Sequence, residues 1–538
     1  MLTDLNTVEL LLPELLLVVL AAWVFIGGTF SQTRGTWIAI SLASLGLVMI
    51  ALYRQDANLW SKTSAADASY ALSGPLFVDR FGHAVRWGAV VLAALFVMLA
   101  ARGSEVLAGE YVGCAILAFL GLMLVGTGSD LVFLFLALEL ISIPTYVLLF
   151  LGRSARSSEA TAKYFFLSIL SSALMLYGFS FLYGITGAIG LEAMRASLAD
   201  GGASEHVGLM PLALVMTFSG LGFKIAAAPF HFYAPDVYQG TTNANAGLLA
   251  VLPKAAGIIV LLRLSVAFAP ALDDFAWQLV LIMSLISMTL GNVSALWQTD
   301  MRRMLAFSSI AHAGYMLIGL TISLAAGTMN TGVDGLTGMV FYLLVYAVSS
   351  FGAFAVLSYL SSDRHEVCLL EELSGLARRR PLPAALLTLF MFSLSGIPPL
   401  AGFWGKFTLF AGAIGFVTSG HPQASWFLVL AVVAALNAAI GAGYYLRVIG
   451  AICFGESTAE AAATARPTGG LSQTKVIVGI PGLVCGMLVV LAGLMPNLFL
   501  ETTAAACSSA HHRSSPSPIL QQPVPGSLAP SLSSQARR

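Results

Sequence analysis

Apolar residues in this chain come in blocks of roughly twenty, the length a helix needs to cross a bilayer core, separated by short polar joints. By that rule the chain holds about fourteen membrane spans. The first six cover about 8–28, 37–53, 84–101, 110–127, 129–151 and 162–187. The next four cover about 208–232, 244–269, 276–297 and 303–325. The last four cover about 336–361, 383–418, 424–454 and 474–498. The joint at 126–130 is so short that the fourth and fifth helices must form a tight hairpin. The stretch 383–418 is too long for one straight helix and is interrupted by Gly396, Pro398, Pro399, Gly402 and Gly405. A related interruption, with Gly220, Gly222, Lys224 and Pro229, lies five spans earlier. Paired broken helices in two halves are the pattern of an inverted-repeat transporter, and an odd offset turns the second unit over relative to the first.

The fold expected is therefore an all-α polytopic membrane protein with two inverted five-helix repeats containing broken helices. The chain divides into an N-terminal three-helix membrane segment (1–105), a first repeat (106–270), a second repeat (271–455) and a C-terminal span (456–500). From 501 to 538 the hydrophobicity collapses into Ser/Pro/Ala-rich sequence, which predicts a disordered tail. The first span lacks a basic flank and a small-residue cleavage site, so it reads as retained rather than as a signal peptide.

Composition agrees. Of 538 residues 58% are hydrophobic and 10% charged, and the mean hydropathy is +0.87. Soluble domains carry roughly 25% charged residues. A formal net charge of zero argues against a nucleic-acid partner, which demands a basic surface. The five cysteines (Cys114, Cys368, Cys453, Cys485, Cys507) are scattered without a CxxC pair, so no metal, Fe–S or disulfide framework can be read from them. Neither a Walker loop nor a GxGxxG after a strand is present, so no nucleotide site is indicated.

Basic residues orient the chain. Loops after odd-numbered spans hold about thirteen (Arg34, Arg102, Arg153, Arg156, Lys163, Arg302, Arg303, Arg364, Arg378, Arg379, Arg380, Arg466, Lys475). Loops after even-numbered spans hold about five (Arg54, Lys62, Arg80, Arg86, Arg195). The positive-inside rule then puts both termini on the outer side, provided the span count is even.

Against this background a few ionisable residues stand out. Of the six lysines, Lys224, Lys254 and Lys406 fall inside apolar spans, and so does Glu139. A charge at the bilayer centre costs about 2.5–3.5 kcal/mol even on lenient scales, and ion or proton paths are its usual reason. Glu139 lies midway along the fifth span, before Ser142 and Pro144; a packing carboxylate bonded to a hydroxyl is the alternative, though a glutamine would serve that role as well. Lys224 follows Gly220 and Gly222 and precedes Pro229, and breaks of this kind are tolerated only where protein or water satisfies the freed backbone. His231 stands seven residues on, on the same face if the helix continues. Lys254 directly follows Pro253, and Lys406 lies in the most interrupted segment. Snorkelling to the interface is the competing role for the lysines. His312, near the middle of the tenth span, is either a packing residue or a carrier, since a histidine can hand on a proton near neutral pH. Glu14, after Pro13, reads as a first-turn carboxylate near a helix's positive end.

The segments LELISIPTYV, GFKIAAAPFHFYAPDVYQG, LPKAAG, FSSIAHAGYML and SGIPPLAGFWGKF resemble the antiporter-like membrane subunits of respiratory complex I, over roughly residues 8–498. PDVYQG, a lysine at 406 and the lack of a long C-terminal lateral helix are similar to the N branch of that family rather than L or M. Two features depart from it: TTNANAG follows PDVYQG where a Pro-rich turn is usual, and the Ser/Pro-rich tail is extra. The resemblance implies a proton-translocating subunit in which Glu139 and Lys224 form an ion pair, Lys254 is the central relay, Lys406 is the terminal site, and His231 and His312 are auxiliary relay positions. It implies no cofactor in this chain, with FMN and Fe–S clusters on partner subunits and quinone as the substrate of the complex. It also implies other membrane subunits as partners, antiporter-like paralogues and small membrane subunits among them, in a bacterial inner membrane. A multisubunit cation/proton antiporter subunit and a non-pumping structural subunit are the rival readings.

Overall fold

In hydrocarbon every backbone amide must find its partner inside the chain, and a chain this apolar meets that demand with helices. The computed structural model describes residues 2–31, 33–60, 70–71, 75–103, 107–152, 154–199, 207–268, 274–326, 335–362, 365–418, 423–456 and 473–511. The N-terminal segment holds α1 (Leu2–Phe30), α2 (Arg34–Trp60) and α3 (Arg80–Leu99). A two-residue hairpin before α3 pairs β1 (Tyr70–Ala71) with β2 (Phe77–Val78), Tyr70 opposite Val78. Then come α4 (Ala108–Thr127), α5 (Leu131–Phe150), α6 (Ala155–Thr186), α7 (Leu191–Ala199), α8 (Met210–Lys224), α9 (Ala234–Gln239) and α10 (Asn243–Phe268). The second half holds α11 (Asp274–Ala295), α12 (Met301–Ala326), α13 (Gly335–Leu360), α14 (Leu376–Arg379), α15 (Pro381–Ser395), α16 (Ala401–Val417) and α17 (Ala424–Phe454). The chain closes with α18 (Gln473–Leu494) and α19 (Pro496–His511).

Among the described residues twelve helices are long and apolar enough to cross a membrane. Two more crossings are interrupted ones, α8 with α9 and α15 with α16, which accounts for the fourteen expected spans. The two interruptions lie five crossings apart, so the second five-helix unit is inverted relative to the first. Asp130 starts the second arm of the expected α4–α5 hairpin by accepting the Phe133 amide at 2.6 Å. Helix α10 is buried along its whole apolar window and α12 and α13 almost so, whereas α1, α6 and α17 bury about a third of theirs. The centre of the molecule is thus α10, α12 and α13, with the outer helices facing lipid.

Arginine–carboxylate pairs tie the N-terminal segment together. Arg86 on α3, fully buried, donates to Glu14 on α1 through Nε at 2.5 Å and Nη2 at 2.6 Å, and to Gln55 at 3.2 Å. Glu14 is therefore not a first-turn carboxylate: α1 begins a dozen residues earlier, and the side chain is held by a guanidinium. Arg86 likewise belongs to a helix and not to a loop. Asp79 accepts the Gly82 amide at 2.7 Å to start α3 and takes Arg263 of α10 in a two-pronged pair at 3.1 and 3.0 Å. Such pairs offset the desolvation of both ions only when the geometry is good, as it is here.

The opposite end of the bundle is polar. Asp300 starts α12 by accepting the Arg302 and Arg303 amides, and Arg303 reaches Asp236 at 2.6 Å beside Lys163 at 2.9 Å. Burial alone raises the Glu372 carboxyl, but the amides of Leu369 and Cys368 and the His365 ring hold it below the usual carboxylate range. The basic residues Lys62, Arg153, Arg364 and Arg466 lie outside the described residues.

The tail expectation needs correction at its start. Residues 501–511 are not disordered: they continue α19, which packs on α3 and α13. Small residues make this possible, with Ala506, Cys507 and Ala510 buried and Ser509 accepting the Phe81 amide at 3.2 Å. Low hydropathy concealed a face that needs only small side chains for close approach. Residues 512–538 lie outside the described residues. A chain ending after Met495 is expected to melt in detergent several degrees below one ending after His511. Equal melting of the two would remove α19 from the packed structure.

Candidate functional site

Helix α8 stops inside the protein at Lys224 because Ala226 takes a left-handed conformation, φ +56°, which cannot continue a helix. The freed backbone groups are taken up locally: Tyr233 donates its hydroxyl to the Phe223 carbonyl at 2.9 Å, and the Ala228 amide donates to Ser287 at 2.8 Å. Lys224 therefore sits at the carbonyl-rich end of a half-helix, where a cation is favoured.

Its ammonium enters a cage of oxygens. Nζ lies 2.7 Å from Ser142, 3.1 Å from Glu139 and 3.4 Å from both Ser168 and Ser172. Three N–H donors face four acceptors, and the two longest contacts, to Ser168 and Ser172, are the weakest. Ser172 also donates to Glu139 at 2.5 Å, and Tyr146 donates to Ser168 at 2.6 Å. The Lys224 side chain is 2% exposed and that of Glu139 20%, so the carboxylate faces the outer edge of the pair.

Lys254, on α10, has no carboxylate within reach among the described residues. Its Nζ donates to the Ile225 carbonyl at 3.0 Å and to the Ser309 carbonyl at 2.9 Å. The first belongs to the residue after Lys224, so the break in α8 links the two lysines. The second belongs to α12.

Lys406, on α16, repeats the arrangement at the second break. Helix α15 ends at Gly396, whose φ of +87° suits glycine, and leaves carbonyls with no amide partner. Lys406 Nζ donates to two of them, Leu394 at 3.0 Å and Ser395 at 2.9 Å, and lies 5.0 Å from the centre of the Tyr315 ring. The two lysines are not placed alike: Lys224 ends the half-helix before its break, whereas Lys406 follows its break.

His312 stands between the last two lysines. On α12, Ser309 carries the carbonyl that holds Lys254, His312 is three residues on, and Tyr315 under Lys406 is three further. That spacing spans about 9 Å along a helix. The His312 ring meets the Tyr342 hydroxyl through Nδ1 at 2.6 Å and the Tyr445 hydroxyl through Nε2 at 2.9 Å.

The structure thus brings Glu139, Lys224, Lys254, His312 and Lys406 into one row across α5, α8, α10, α12 and α16. It does not bring His231 into it. Because α8 ends at Lys224, the seven-residue spacing no longer shares a helix face. His231 lies in the turn between α8 and α9, with Nδ1 buried and without a partner in the described structure. The sequence reading missed the serines of α6 and the tyrosines. Ser168 and Ser172 stand one helical turn apart in an apolar helix, as do Tyr342 and Tyr346 on α13, and that polar spacing was the available signal.

Glycine is required at Gly402, where an added Cβ would lie 1.7 Å from the Ser393 carbonyl oxygen. Gly402→Ala is expected to push α16 off the end of α15 and to cost at least about 1–3 kcal/mol, as overpacking does. Its melting temperature in detergent should fall, whereas Gly443→Ala, which meets only Leu296 at 3.5 Å, should leave it unchanged.

Residues 128–436 match the family described as NADH:quinone oxidoreductase/Mrp antiporter, TM. The chain is 36% identical over 487 residues to NADH-quinone oxidoreductase subunit N 1 of Rhizobium meliloti (strain 1021), covering 89% of this chain and 94% of that protein. It is 34% identical over 505 residues to NADH-quinone oxidoreductase subunit N of Rhodospirillum rubrum, covering 93% and 96%. Among solved structures, a chain of respiratory complex I from Thermus thermophilus with bound aureothin superposes with a TM-score of 0.72 at 32% identity, covering 92% of this chain and 99% of that one. A chain of the Mrp complex from Dietzia sp. DQ12-45-1b reaches 0.72 at 19% identity, covering 94% and 98%, a likeness of fold alone. Identity at this level along nearly the whole of both chains makes this protein a member of the NADH-quinone oxidoreductase subunit N family, within the wider NADH:quinone oxidoreductase/Mrp antiporter family.

Proposed function

We propose that this subunit relays protons along Glu139, Lys224, Lys254, His312 and Lys406, from the cytoplasmic to the outer side, driven by quinone reduction elsewhere in an NADH–quinone oxidoreductase. His231, apart from the row, is left as an auxiliary position near the cytoplasmic approach to Lys224. The observation that carries the reading is the absence of a carboxylate on Lys254 and Lys406 among the described residues. Two backbone carbonyls hold each nitrogen instead. Carbonyls keep the nitrogen in place without fixing its charge, so protonation there answers to the charge on its neighbours.

Glu139 is the natural trigger. Moving its carboxylate away from Lys224 leaves the ammonium among hydroxyls, and the proton is driven towards Lys254. Each unit of pKa change is worth about 1.36 kcal/mol. Moving a charge against 100 mV costs about 2.3 kcal/mol. Changes of a few units at successive lysines are therefore enough to gate the step. Arginine cannot play this part, since it does not release its proton in proteins.

The repeats at 106–270 and 271–455 act as the two halves of the path. The charged cluster of Asp236, Lys163, Arg303 and Asp300 at one end supports a cytoplasmic assignment for that face, and so outer positions for both termini in a bacterial inner membrane. Partner subunits supply the FMN, Fe–S clusters and quinone site, and antiporter-like paralogues and small membrane subunits are the neighbours.

In the whole complex reconstituted in liposomes, Lys224→Ala and Glu139→Ala are each expected to slow NADH-driven proton uptake at least about tenfold, or ~1.4 kcal/mol on the rate-limiting step, with assembly intact. Uptake at the unsubstituted rate would end the relay reading. Lys406→Arg should be as slow as Lys406→Ala, and full activity with arginine would rule out proton exchange at that position. A purely structural subunit would lose assembly and keep its turnover in the complexes that form.

A further inference from the structure

His312 is 2% exposed, and each of its ring nitrogens meets a buried phenol. A neutral imidazole carries one N–H, so one nitrogen donates and the other accepts. Of Tyr342 and Tyr445, one must therefore accept from the ring and the other donate to it. A hydroxyl can take either part by rotating. The Tyr445 hydroxyl also bonds Ser308, four residues before His312 on the α17-facing side of α12. On the other side, the Tyr342 ring packs against α16 at the residue before Lys406, since a Cβ on Gly405 would come 2.5 Å from it. The Tyr315 ring, which underlies Lys406, meets Tyr342 edge-on at 6.2 Å. A serine, a phenol, an imidazole and a second phenol thus form one chain of exchangeable hydrogens, and its last ring packs against Gly405, the residue before Lys406.

We infer that Tyr342 and Tyr445 are relay residues, and that His312 conducts by changing which ring nitrogen holds its hydrogen, from the Ser308–Tyr445 side to the Tyr342–Lys406 side. This rests on the relay reading above and adds a second branch to it, distinct from the approach through Lys254. The step starts with hydrogen on Nδ1. A proton arrives at Ser308, and Ser308 gives its own hydrogen to the Tyr445 oxygen. Tyr445 gives its hydrogen to Nε2, Nδ1 gives its hydrogen to the Tyr342 oxygen, and Tyr342 gives its own to a water molecule, which gives one of its hydrogens to the Lys406 amine. Every O–H or N–H broken is replaced by one formed, and the net change is one proton gained by Lys406. The chain is left with reversed polarity, Nε2 donating and Nδ1 accepting. No second proton can follow in the same direction until the ring and hydroxyls reset, so the branch passes one proton per reset.

The groups that set this balance are Lys254 from α10, Tyr315 on α12 itself, Tyr342 and Tyr346 from α13, Lys406 from α16, and Tyr444 and Tyr445 from α17.

The test uses the whole complex in liposomes, with NADH oxidation and proton uptake followed together. Tyr342→Phe and Tyr445→Phe are each expected to lower protons moved per NADH and to change the solvent deuterium effect on uptake. Replacing Tyr342 with 3,5-difluorotyrosine keeps the shape and the hydroxyl but makes the phenol more acidic. It should shift the pH profile of uptake towards acid, which a packing role would not do. Phenylalanine variants that pump with unchanged stoichiometry and deuterium effect, beside a Lys224→Ala complex that does not pump, would overturn this inference and leave the relay reading standing. Normal pumping by Lys224→Ala would overturn both. If the phenylalanine variants fail to assemble, the fluorinated complex decides, and an unmoved pH profile overturns the inference.

Discussion

A helix that stops inside a membrane leaves carbonyls without amides, and a lysine buried there is left without water; in this chain each supplies what the other lacks. Lys406 takes up the Leu394 and Ser395 carbonyls exposed where α15 stops. Lys254 takes up the Ile225 carbonyl where α8 stops. The breaks and the charges are thus one feature. Without the breaks the lysines would be stranded, and without the lysines the carbonyls would be buried and unpaired, at a cost of several kcal/mol each in hydrocarbon.

Two buried arginines are held differently. Arg86 and Arg263 are each gripped by a carboxylate through two nitrogens, and both pairs join α3 to another helix. A guanidinium that always keeps its charge suits a fixed clasp, whereas an ammonium held by hydroxyls and carbonyls is free to change state. The row runs through α10 and α12, and the burial of these helices and of α13 keeps lipid away from it. Helix α12 is the spine of that arrangement, since it touches Lys254 at Ser309, carries His312 and underlies Lys406 at Tyr315.

The two halves are therefore inverted copies that are not equivalent. The first holds its lysine in a serine cage with Glu139, and the second holds its lysine on bare carbonyls against an aromatic ring.

Legibility differed from residue to residue for physical reasons. Lys224, Lys254, Lys406 and Glu139 were conspicuous because charge in an apolar block is costly whatever the fold. Their breaks were conspicuous because glycine and proline act on their own neighbours. The same-face placement of His231 with Lys224 fails because the helix does not continue through Ala226, whose left-handed backbone no composition announces. The stretch 501–511 of α19 was misjudged because alanine, serine and cysteine read as weak hydrophobes until a partner surface is present. Ser168, Ser172, Tyr342 and Tyr445 were ordinary residues in sequence and became partners of Lys224 and His312 only through helices far apart in the chain. The sequence by itself determined the spans, the two breaks and which charges must be explained, because those follow from local cost in a solvent without water. Only the tertiary structure decided which carbonyl meets which ammonium and which phenol meets His312, because those partners lie tens to hundreds of residues away and depend on how the helices pack.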